Sequence, residues 1–152
     1  MAGEIVEISE QKYENLYHIA DAKFRAYGST LEEVFENAAI AMFNVMINTS
    51  GLGVCESRDI EIASPDIKML LVEWLSELLY LFEVDGIIFS EFKIISIEKT
   101  NDDFSLKGKA SGEPIELSRH NFDTQVKAVT FHDLQVELDQ TGRFWVQVVV
   151  DT

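Results

Sequence analysis

Apolar residues recur at helical spacing in two stretches of the chain, and the first is "STLEEVFENAAIAMFNVMIN". Thr30 is followed three residues later by Glu33, which is the pattern of a capping box, so a helix is predicted to begin here. "NTSGLG" is typical of a helix end. One face of this helix is predicted to be buried, because its apolar residues keep the i, i+3, i+4, i+7 spacing: Leu31, Val34, Phe35, Ala38, Ala39, Met42, Phe43 and Met46.

The second stretch, "SPDIKMLLVEWLSELLYLF", predicts a helix with a wider apolar face. Ser64 is the predicted N-cap, and Pro65 is expected at the first helical position, where a missing N–H costs nothing. The apolar stripe consists of Ile67, Leu70, Leu71, Trp74, Leu75, Leu78, Leu79 and Phe82. This helix is therefore expected to be more buried than the first.

The remaining pattern predicts β-strands, which are short, rich in β-branched and aromatic residues, and separated by turn signals. The segments are "AKFRAY", "RDIEIA", "EFKIISIEK", "FSLKGKA", "TQVKAVTF", "LQVELD" and "RFWVQVVV". "TNDD" and "DQTG" are typical of hairpin connections. The order of strand, helix, strand, helix and about five further strands predicts an α+β domain. In that domain two amphipathic helices pack on a mostly antiparallel sheet, or on a pair of sheets as in a sandwich.

The composition is that of one folded domain. The chain has 152 residues, of which 47% are hydrophobic and 26% charged, with only two prolines. That length suffices for a single core, so residues 1–152 are predicted to form one domain. Residues 1–12 are expected to be a loosely ordered N-terminal extension.

The formal net charge of −15 is the most unusual global property. It disfavours a contact with nucleic-acid phosphates, which depends on clustered Lys and Arg. A basic protein partner, bound cations or simply a solvated acidic surface are compatible with it. The opening is acidic and lacks an apolar core, and no apolar run approaches the roughly 20 residues that span a bilayer, so a cytoplasmic protein is expected.

Familiar catalytic motifs are missing from the sequence. "GLGVC" lacks the lysine of a phosphate-binding loop, and neither G-x-S-x-G nor H-E-x-x-H occurs. Cys55, the single cysteine, could in principle form a nucleophile pair or a zinc site with His18, His120 or His132. Nothing in the spacing of these residues supports such a site.

Ionisable residues interrupt the pattern at three places. His18 and Asp21 stand just before the first strand, where Asp21 could simply cap a turn. Lys127 falls within a predicted strand, where an edge lysine could extend to water. An apolar strand ends on Asp151, followed only by Thr152 and its α-carboxylate.

The carboxylates at the two ends of the chain would meet if the first and last strands end together. Asp21, Asp151 and the α-carboxylate of Thr152 would then form an oxygen cluster, which hard cations such as Ca²⁺ or Mg²⁺ select. Without a cation such carboxylates repel one another. From the pattern alone, a cation site and an ordinary turn both remain open.

At this point the sequence resembles the archease family. "YHIADAKFRAYGSTLEEVFENAAIAMFNVM" is similar to the family's opening, which has an H-T-A-D motif, a short strand ending in glycine, then T-L-E-E-A-F and an amphipathic helix. Four further matches follow in order: "LLVEWLSELLYLFEVDGIIFSEF", "GEPIELSRH", "VKAVTFHDLQV" and the final "VVVD". The matches span about Tyr13 to Asp151, which is nearly the whole chain.

The resemblance implies a function that composition does not. Archeases assist the RtcB-type RNA ligase, which seals tRNA exons after attaching GMP to its own histidine with GTP and a divalent metal. They promote this guanylylation and multiple turnover without being the ligase. The resemblance therefore implies an activator that is not an enzyme and has no catalytic residues. Its expected partner is an RtcB-type ligase, with neither nucleic acid nor membrane bound directly.

The resemblance also implies a site. Family members carry a divalent cation, Ca²⁺ or Mg²⁺/Mn²⁺, near the aspartates that correspond to Asp21 and Asp151. Glu56, after the first helix, is the nearest candidate for a further carboxylate ligand. Lys127 corresponds to a lysine implicated in activation, and His18 belongs to the motif and could orient the turn or support the ligands.

Several positions depart from the family pattern. Ile19 replaces the threonine of H-T-A-D, and Thr152 follows Asp151 where an apolar last residue is common; neither removes a metal ligand. Phe131 replaces a frequent tyrosine. Asp133 replaces a frequent glycine, which leaves the local turn geometry open.

Two other classes of function are alternatives. A metal-dependent hydrolase would use Asp21 and Asp151 with His18 as base, and would need turnover without any ligase. A chaperone-like scaffold for RNA-modifying enzymes would bind through an exposed apolar patch and would be indifferent to the loss of Asp21.

Overall fold

The computed structural model describes residues 21–152, so His18, Ile19 and the predicted extension at 1–12 lie outside the described residues. The elements, in chain order, are β1 (Asp21–Gly28), α1 (Leu31–Met46), β2 (Glu56–Ser64), α2 (Ile67–Asp85), β3 (Ile87–Thr100), β4 (Asp103–Pro114), β5 (Ala128–Val129), β6 (Gln135–Leu138) and β7 (Phe144–Asp151). The order is the one that the apolar pattern predicts, and the α+β class is confirmed.

Helix α1 begins as its capping pattern predicts, with one difference. The hydroxyl of Thr30 accepts a hydrogen bond from the backbone N–H of Glu33 at 3.0 Å. The Glu33 carboxylate reaches back one residue further than in a standard capping box, to the backbone N–H and hydroxyl of Ser29. These hydrogen bonds, the backbone one above all, hold the pKa of Glu33 below its ordinary value.

The N-cap of α2 differs from the predicted one. Asp66, not Ser64, caps the helix, because its carboxylate accepts a hydrogen bond from the backbone N–H of Met69 at 2.8 Å. Ser64 is instead the buried last residue of β2, and Pro65 precedes the cap. The prediction was wrong because the strand continues to Ser64. The next side chain that can accept a hydrogen bond from the helix N-terminus is that of Asp66, two residues later.

The strands form two separate antiparallel sheets. In the first sheet β7 lies between β1 and β5, and β6 pairs with β7 further along; in the second the order is β2-β4-β3. Helix α1 packs against β1, β3 and β7, whereas α2 contacts strands of both sheets and α1. The two helices thus join the two sheets around one apolar core that contains Phe35, Phe43, Trp74, Leu75 and Phe89.

The predicted strand "TQVKAVTF" is shorter than expected. Only Ala128 and Val129 are regular strand. The Lys127 N–H donates to the Asp151 carbonyl at 2.8 Å, and the Thr130 N–H and hydroxyl both donate to the Val149 carbonyl. Beyond Thr130 the chain turns away, and Asp133 takes a positive φ of 52°.

Both predicted hairpin connections are present. Asn101, in the turn between β3 and β4, has a positive φ of 55°. In the turn between β6 and β7, an Asp139 oxygen accepts hydrogen bonds from the Thr141 N–H, the Thr141 hydroxyl and the Arg143 N–H. Within residues 21–152, no helix is long and apolar enough to cross a membrane.

Candidate functional site

Asp21 and Asp151 are direct cross-strand partners. Asp21 is the first residue of β1, Asp151 is the last residue of β7, and the antiparallel register pairs them. Opposite residues in such a ladder project from the same face, with Cβ atoms about 4.5–5.5 Å apart. The structure therefore brings together the two carboxylates that the sequence places at its two ends.

The pair lies on the outer face of the first sheet. Along β1 the exposed residues alternate with residues packed on the core, so Asp21 shares the outer face with Lys23 and Arg25. Asp21 is exposed, and Asp151 is half-buried. A partner or an ion from solvent can reach this face without any rearrangement of the core.

Lys127 immediately precedes β5, the third strand at this end of the sheet. Asp151 is opposite Ala128 of β5, and the backbone N–H of Lys127 donates to the Asp151 carbonyl at 2.8 Å. The Lys127 residue is exposed. The hydrogen bond thus fixes the Lys127 main chain next to that of Asp151, while the Lys127 side chain is accessible from solvent.

The other predicted ligands have different positions. Glu56 is the first residue of β2 in the second sheet, where it lies opposite Gly112 and within 3.6 Å of Arg58. Within residues 21–152, no group of three or more His, Cys, Asp or Glu side chains is arranged to hold a metal ion. The structure therefore does not bring Glu56 into a cluster with the two aspartates. Thr152 is half-buried and directly follows Asp151.

The donor set at the pair suits a hard cation but is incomplete. Two like charges directly opposite in a sheet destabilise it, and a cation shared by both carboxylates would offset that repulsion. Ca²⁺ takes 6–8 oxygen ligands and Mg²⁺ takes six, so two carboxylates leave most positions to water or to other oxygens. The residues thus fit a divalent cation that keeps an open coordination sphere.

Side chains on the same outer face hold the surroundings of the pair in place. Lys23 contacts Asp133 at 3.3 Å, and Gln147 donates to the Asp133 carbonyl at 2.9 Å. Arg25 donates to Gln147 at 3.0 Å and stacks over the Trp145 ring at 4.6 Å. These contacts tie the turn at Asp133 to β1 and β7. Asp133 has a left-handed backbone conformation, which aspartate is among the residues that tolerate.

A buried polar network was not recognised from the sequence. Glu113, only 6% exposed, accepts hydrogen bonds from the Gly53 backbone N–H, from His120 Nε2 and from Arg119 Nη2. The Gly53 hydrogen bond above all, with those of His120 and Arg119, lowers the pKa of Glu113 from 4.5 to about 2. The network ties the loop before β2 to the loop after β4. Glu113, Arg119 and His120 lie in "GEPIELSRH", but nothing in their spacing indicates burial.

The network also fixes which ring nitrogen of His120 carries the hydrogen. Its Nδ1 accepts a hydrogen bond from the Glu116 backbone N–H at 2.8 Å, so Nε2 carries the hydrogen that it donates to Glu113. Both ring nitrogens are therefore engaged. His132 is exposed, with its ring 3.4 Å from Asp133, and Cys55 is exposed as well. In the part of the chain that the structure describes, Cys55 has no histidine as a hydrogen-bond partner.

Fold and site together define a small α+β protein with an acidic pair where three strands meet. The sequence model of the Archease protein family (MTH1598/TM1083) matches residues 13–152. The chain is 52% identical to protein archease of Methanosarcina acetivorans, over 93% of this chain and 96% of that one, and 40% identical to the Thermococcus kodakarensis archease, over 93% and 99%.

Solved structures agree with these comparisons. The solution structure of protein 1598 of Methanobacterium thermoautotrophicum is 45% identical, with a TM-score of 0.78 over 90% of this chain and 96% of that one. An archease of Thermotoga maritima, described as a possible chaperone, shares the fold at 16% identity and a TM-score of 0.56 over 95% of this chain and 100% of that one. The chain belongs to the archease family.

Proposed function

We propose that this protein is an accessory activator of an RtcB-type RNA ligase, and that it promotes ligase guanylylation and multiple turnover in tRNA splicing or RNA repair. It acts by binding the ligase and is not a catalyst itself. Family membership supports this assignment. The observation that carries it is the register in which Asp21 faces Asp151, with Lys127 hydrogen-bonded to the Asp151 main chain.

Each residue at the proposed site has a distinct role. Asp21 and Asp151 are the residues that would hold a divalent cation, which would supply positive charge for phosphate groups at the ligase's nucleotide site. Lys127, whose main chain is hydrogen-bonded to Asp151, offers a second positive charge on a side chain that solvent and a partner can reach. The protein binds the guanylylation-competent conformation of the ligase more tightly than the others, and so raises its population.

Charge supports the choice of partner. The net charge of −15 attracts a basic, nucleotide-binding surface and accelerates the encounter at low ionic strength. Stimulation is therefore expected to weaken as salt shortens the Debye length from about 10 Å at 0.1 M to about 3 Å at 1 M.

The test measures self-guanylylation and RNA joining by an RtcB-type ligase in excess RNA, with and without this protein. The wild type should raise both, and Asp21→Asn and Asp151→Asn should remove most of the increase. Asp59→Asn and Asp102→Asn, at exposed aspartates in β2 and in the β3–β4 turn, are matched controls of equal charge change. No stimulation by the wild type would refute the proposal, and full stimulation by both site variants would favour the chaperone-like scaffold.

A further inference from the structure

A second feature of the surface is an apolar pocket of about 450 Å³. It lies where the end of α1, the end of α2 and the loop after β4 meet. Its apolar lining comes from Met46, Phe82, Ile115, Phe122 and Val126. This volume is within the range of preformed binding pockets and far exceeds the packing defects of an ordinary core.

Main-chain hydrogen bonds hold the pocket in shape. The Asp123 N–H donates to the Met46 carbonyl at 2.7 Å, and the Ile115 N–H donates to the Gly86 carbonyl at 2.8 Å. The Phe82 and Phe122 rings are 5.9 Å apart between centroids. Because these contacts already exist, little ordering is needed before an apolar group enters.

The rim of the pocket combines an exposed apolar side chain with two carboxylates. Leu117, at the rim, is 80% exposed. Glu83 and Asp123 both line the pocket and are exposed. Neither takes part in an ion pair with any other residue in the range 21–152. An apolar side chain flanked by Lys or Arg matches this arrangement, since it enters the pocket while its neighbours meet the rim.

The pocket and the carboxylate pair are connected by one short piece of chain. Val126 lines the pocket, the next residue donates its N–H to Asp151, and Ala128 is the strand partner of Asp151. Two residues of extended chain span at most about 7 Å, so the main chain that lines the pocket and the main chain paired with Asp151 lie within reach of one protein partner.

We propose that this pocket, the Val126 pocket, is where a basic segment of a protein partner docks. One apolar side chain of the segment, of leucine or methionine size, occupies the pocket, and flanking Lys or Arg residues contact Glu83 and Asp123. The inference rests on the proposed function, in that the partner is the ligase, and it adds the docking surface. The carboxylate pair then acts on the ligase, whereas the Val126 pocket holds it.

Binding and activation can be measured separately. Glu83→Lys/Asp123→Lys and Leu117→Ser should each raise the dissociation constant for immobilised ligase about tenfold or more, and raise equally the concentration that gives half-maximal stimulation. Maximal stimulation should not change. Glu98→Lys/Asp102→Lys reverses two exposed carboxylates near the β3–β4 turn and makes the same change in net charge, so it is the matched control.

The outcomes distinguish the two proposals. If the wild type stimulates the ligase and the pocket variants bind like the control, the docking surface is wrong and the function stands. If the wild type binds through the pocket without stimulating, the docking surface stands and the function is wrong. If the wild type does not bind the ligase, both are refuted.

Photo-cross-linking identifies the occupant directly. With p-benzoylphenylalanine in place of Leu117, mass spectrometry should find a cross-link to a Lys- or Arg-rich segment of the ligase. The same group in place of Ile95, which is 65% exposed on β3, is the control and should give no such product. A cross-link from position 117 to a second copy of the protein, or to the chain's own residues 1–20, would overturn the proposal.

Discussion

Asp21 and Asp151 face each other across β1 and β7, at the first and last positions of the described strands. Two carboxylates in this relation repel unless a cation or a partner's positive charge lies between them. No apolar packing requires acidic residues there, because both project from the outer face of the sheet. The contribution of the pair to folding can therefore be measured separately from the cation binding proposed for it.

Removal of one carboxylate should separate folding from cation binding. In EDTA, Asp21→Asn and Asp151→Asn should leave the free energy of unfolding unchanged or raise it by about 0.2–1 kcal/mol, because a repulsion is relieved. With Ca²⁺ at about 100 times its dissociation constant, the wild type should gain about 2.7 kcal/mol and the variants far less. Thermal melting with Ca²⁺, Mg²⁺ or Mn²⁺ measures both effects, with Asp59→Asn as control. Equal shifts in wild type and variants would contradict the cation site.

Lys127 should matter for activation and not for stability. Its side chain is exposed, and its structural contribution is a main-chain hydrogen bond that Lys127→Ala retains. The free energy of unfolding should change by less than about 0.5 kcal/mol. Ligase guanylylation at saturating protein should fall several-fold, whereas Lys107→Ala, at an exposed lysine of β4, should have no effect. Equal activity of the two variants would assign Lys127 to the ordinary solvated surface.

The caps of α2 provide a test of the fold. Asp66→Ala should lower the free energy of unfolding by about 1 kcal/mol, because it removes the acceptor for the Met69 N–H. Ser64→Ala should be neutral or stabilising, since the buried Ser64 hydroxyl has no hydrogen-bond partner among residues 21–152. Urea denaturation measures the free energies of unfolding of the two variants. If Ser64→Ala were less stable than Asp66→Ala, Ser64 would be the cap.

The network around Glu113 predicts a specific pH dependence. Hydrogen bonds, first of all from the Gly53 N–H, lower the pKa of Glu113 from 4.5 to about 2 in the folded protein. A carboxyl that is more acidic when folded contributes its full stability above pH 4.5 and loses it as the pH falls toward 2. The difference in urea midpoint between wild type and Glu113→Gln should therefore be largest near neutral pH and should shrink below pH 4.5.

A surface carboxylate provides the comparison for that experiment. Glu98→Gln should show only a small midpoint difference at neutral pH, because Glu98 is exposed and its side chain forms no ion pair within residues 21–152. If the Glu113→Gln difference stayed constant from pH 7 to pH 2.5, the carboxylate would not be held in its ionised form by the network.

The turn at Asp133 can be tested by a comparison of two substitutions. Both Asp133→Ala and Asp133→Gly remove the contact with Lys23, which is exposed and contributes little. At a φ of 52°, only glycine avoids the steric cost of Cβ, so the glycine variant should be more stable than the alanine variant by about 1 kcal/mol. Equal denaturation midpoints would mean that this turn relaxes to an ordinary conformation.

The apolar pattern was a reliable guide wherever an element buries one face. Both helices and most strands occupy the stretches that periodicity predicts, because side-chain spacing has to match the geometry of a helix or a strand to fill a core. The pattern predicted too long a strand in "TQVKAVTF", where regular pairing stops after Val129. There the hydrogen bonds to β7, and not the residue types, set the length of the strand.

The site was predictable to a different degree for each of its parts. Ionisable residues at the ends of two apolar strands suggested that Asp21 and Asp151 would meet, and the antiparallel register pairs them. For Glu56 the sequence was uninformative, because a residue that begins a strand can belong to either sheet. The Glu113–His120 pair lies seven residues apart in an irregular segment, where no periodicity relates spacing to contact.

The two helices, the order of the strands, the single core and the membership in a family were all predictable from the sequence alone. These depend on local periodicity, on capping residues and on motifs that are contiguous in the chain. Four features became known only from the structure. The strands divide into two sheets, and Asp66 caps α2. Glu113 is buried among hydrogen-bond donors, and a pocket opens beside Val126. Each of these depends on which distant segments approach one another, and strand register and loop closure set that approach.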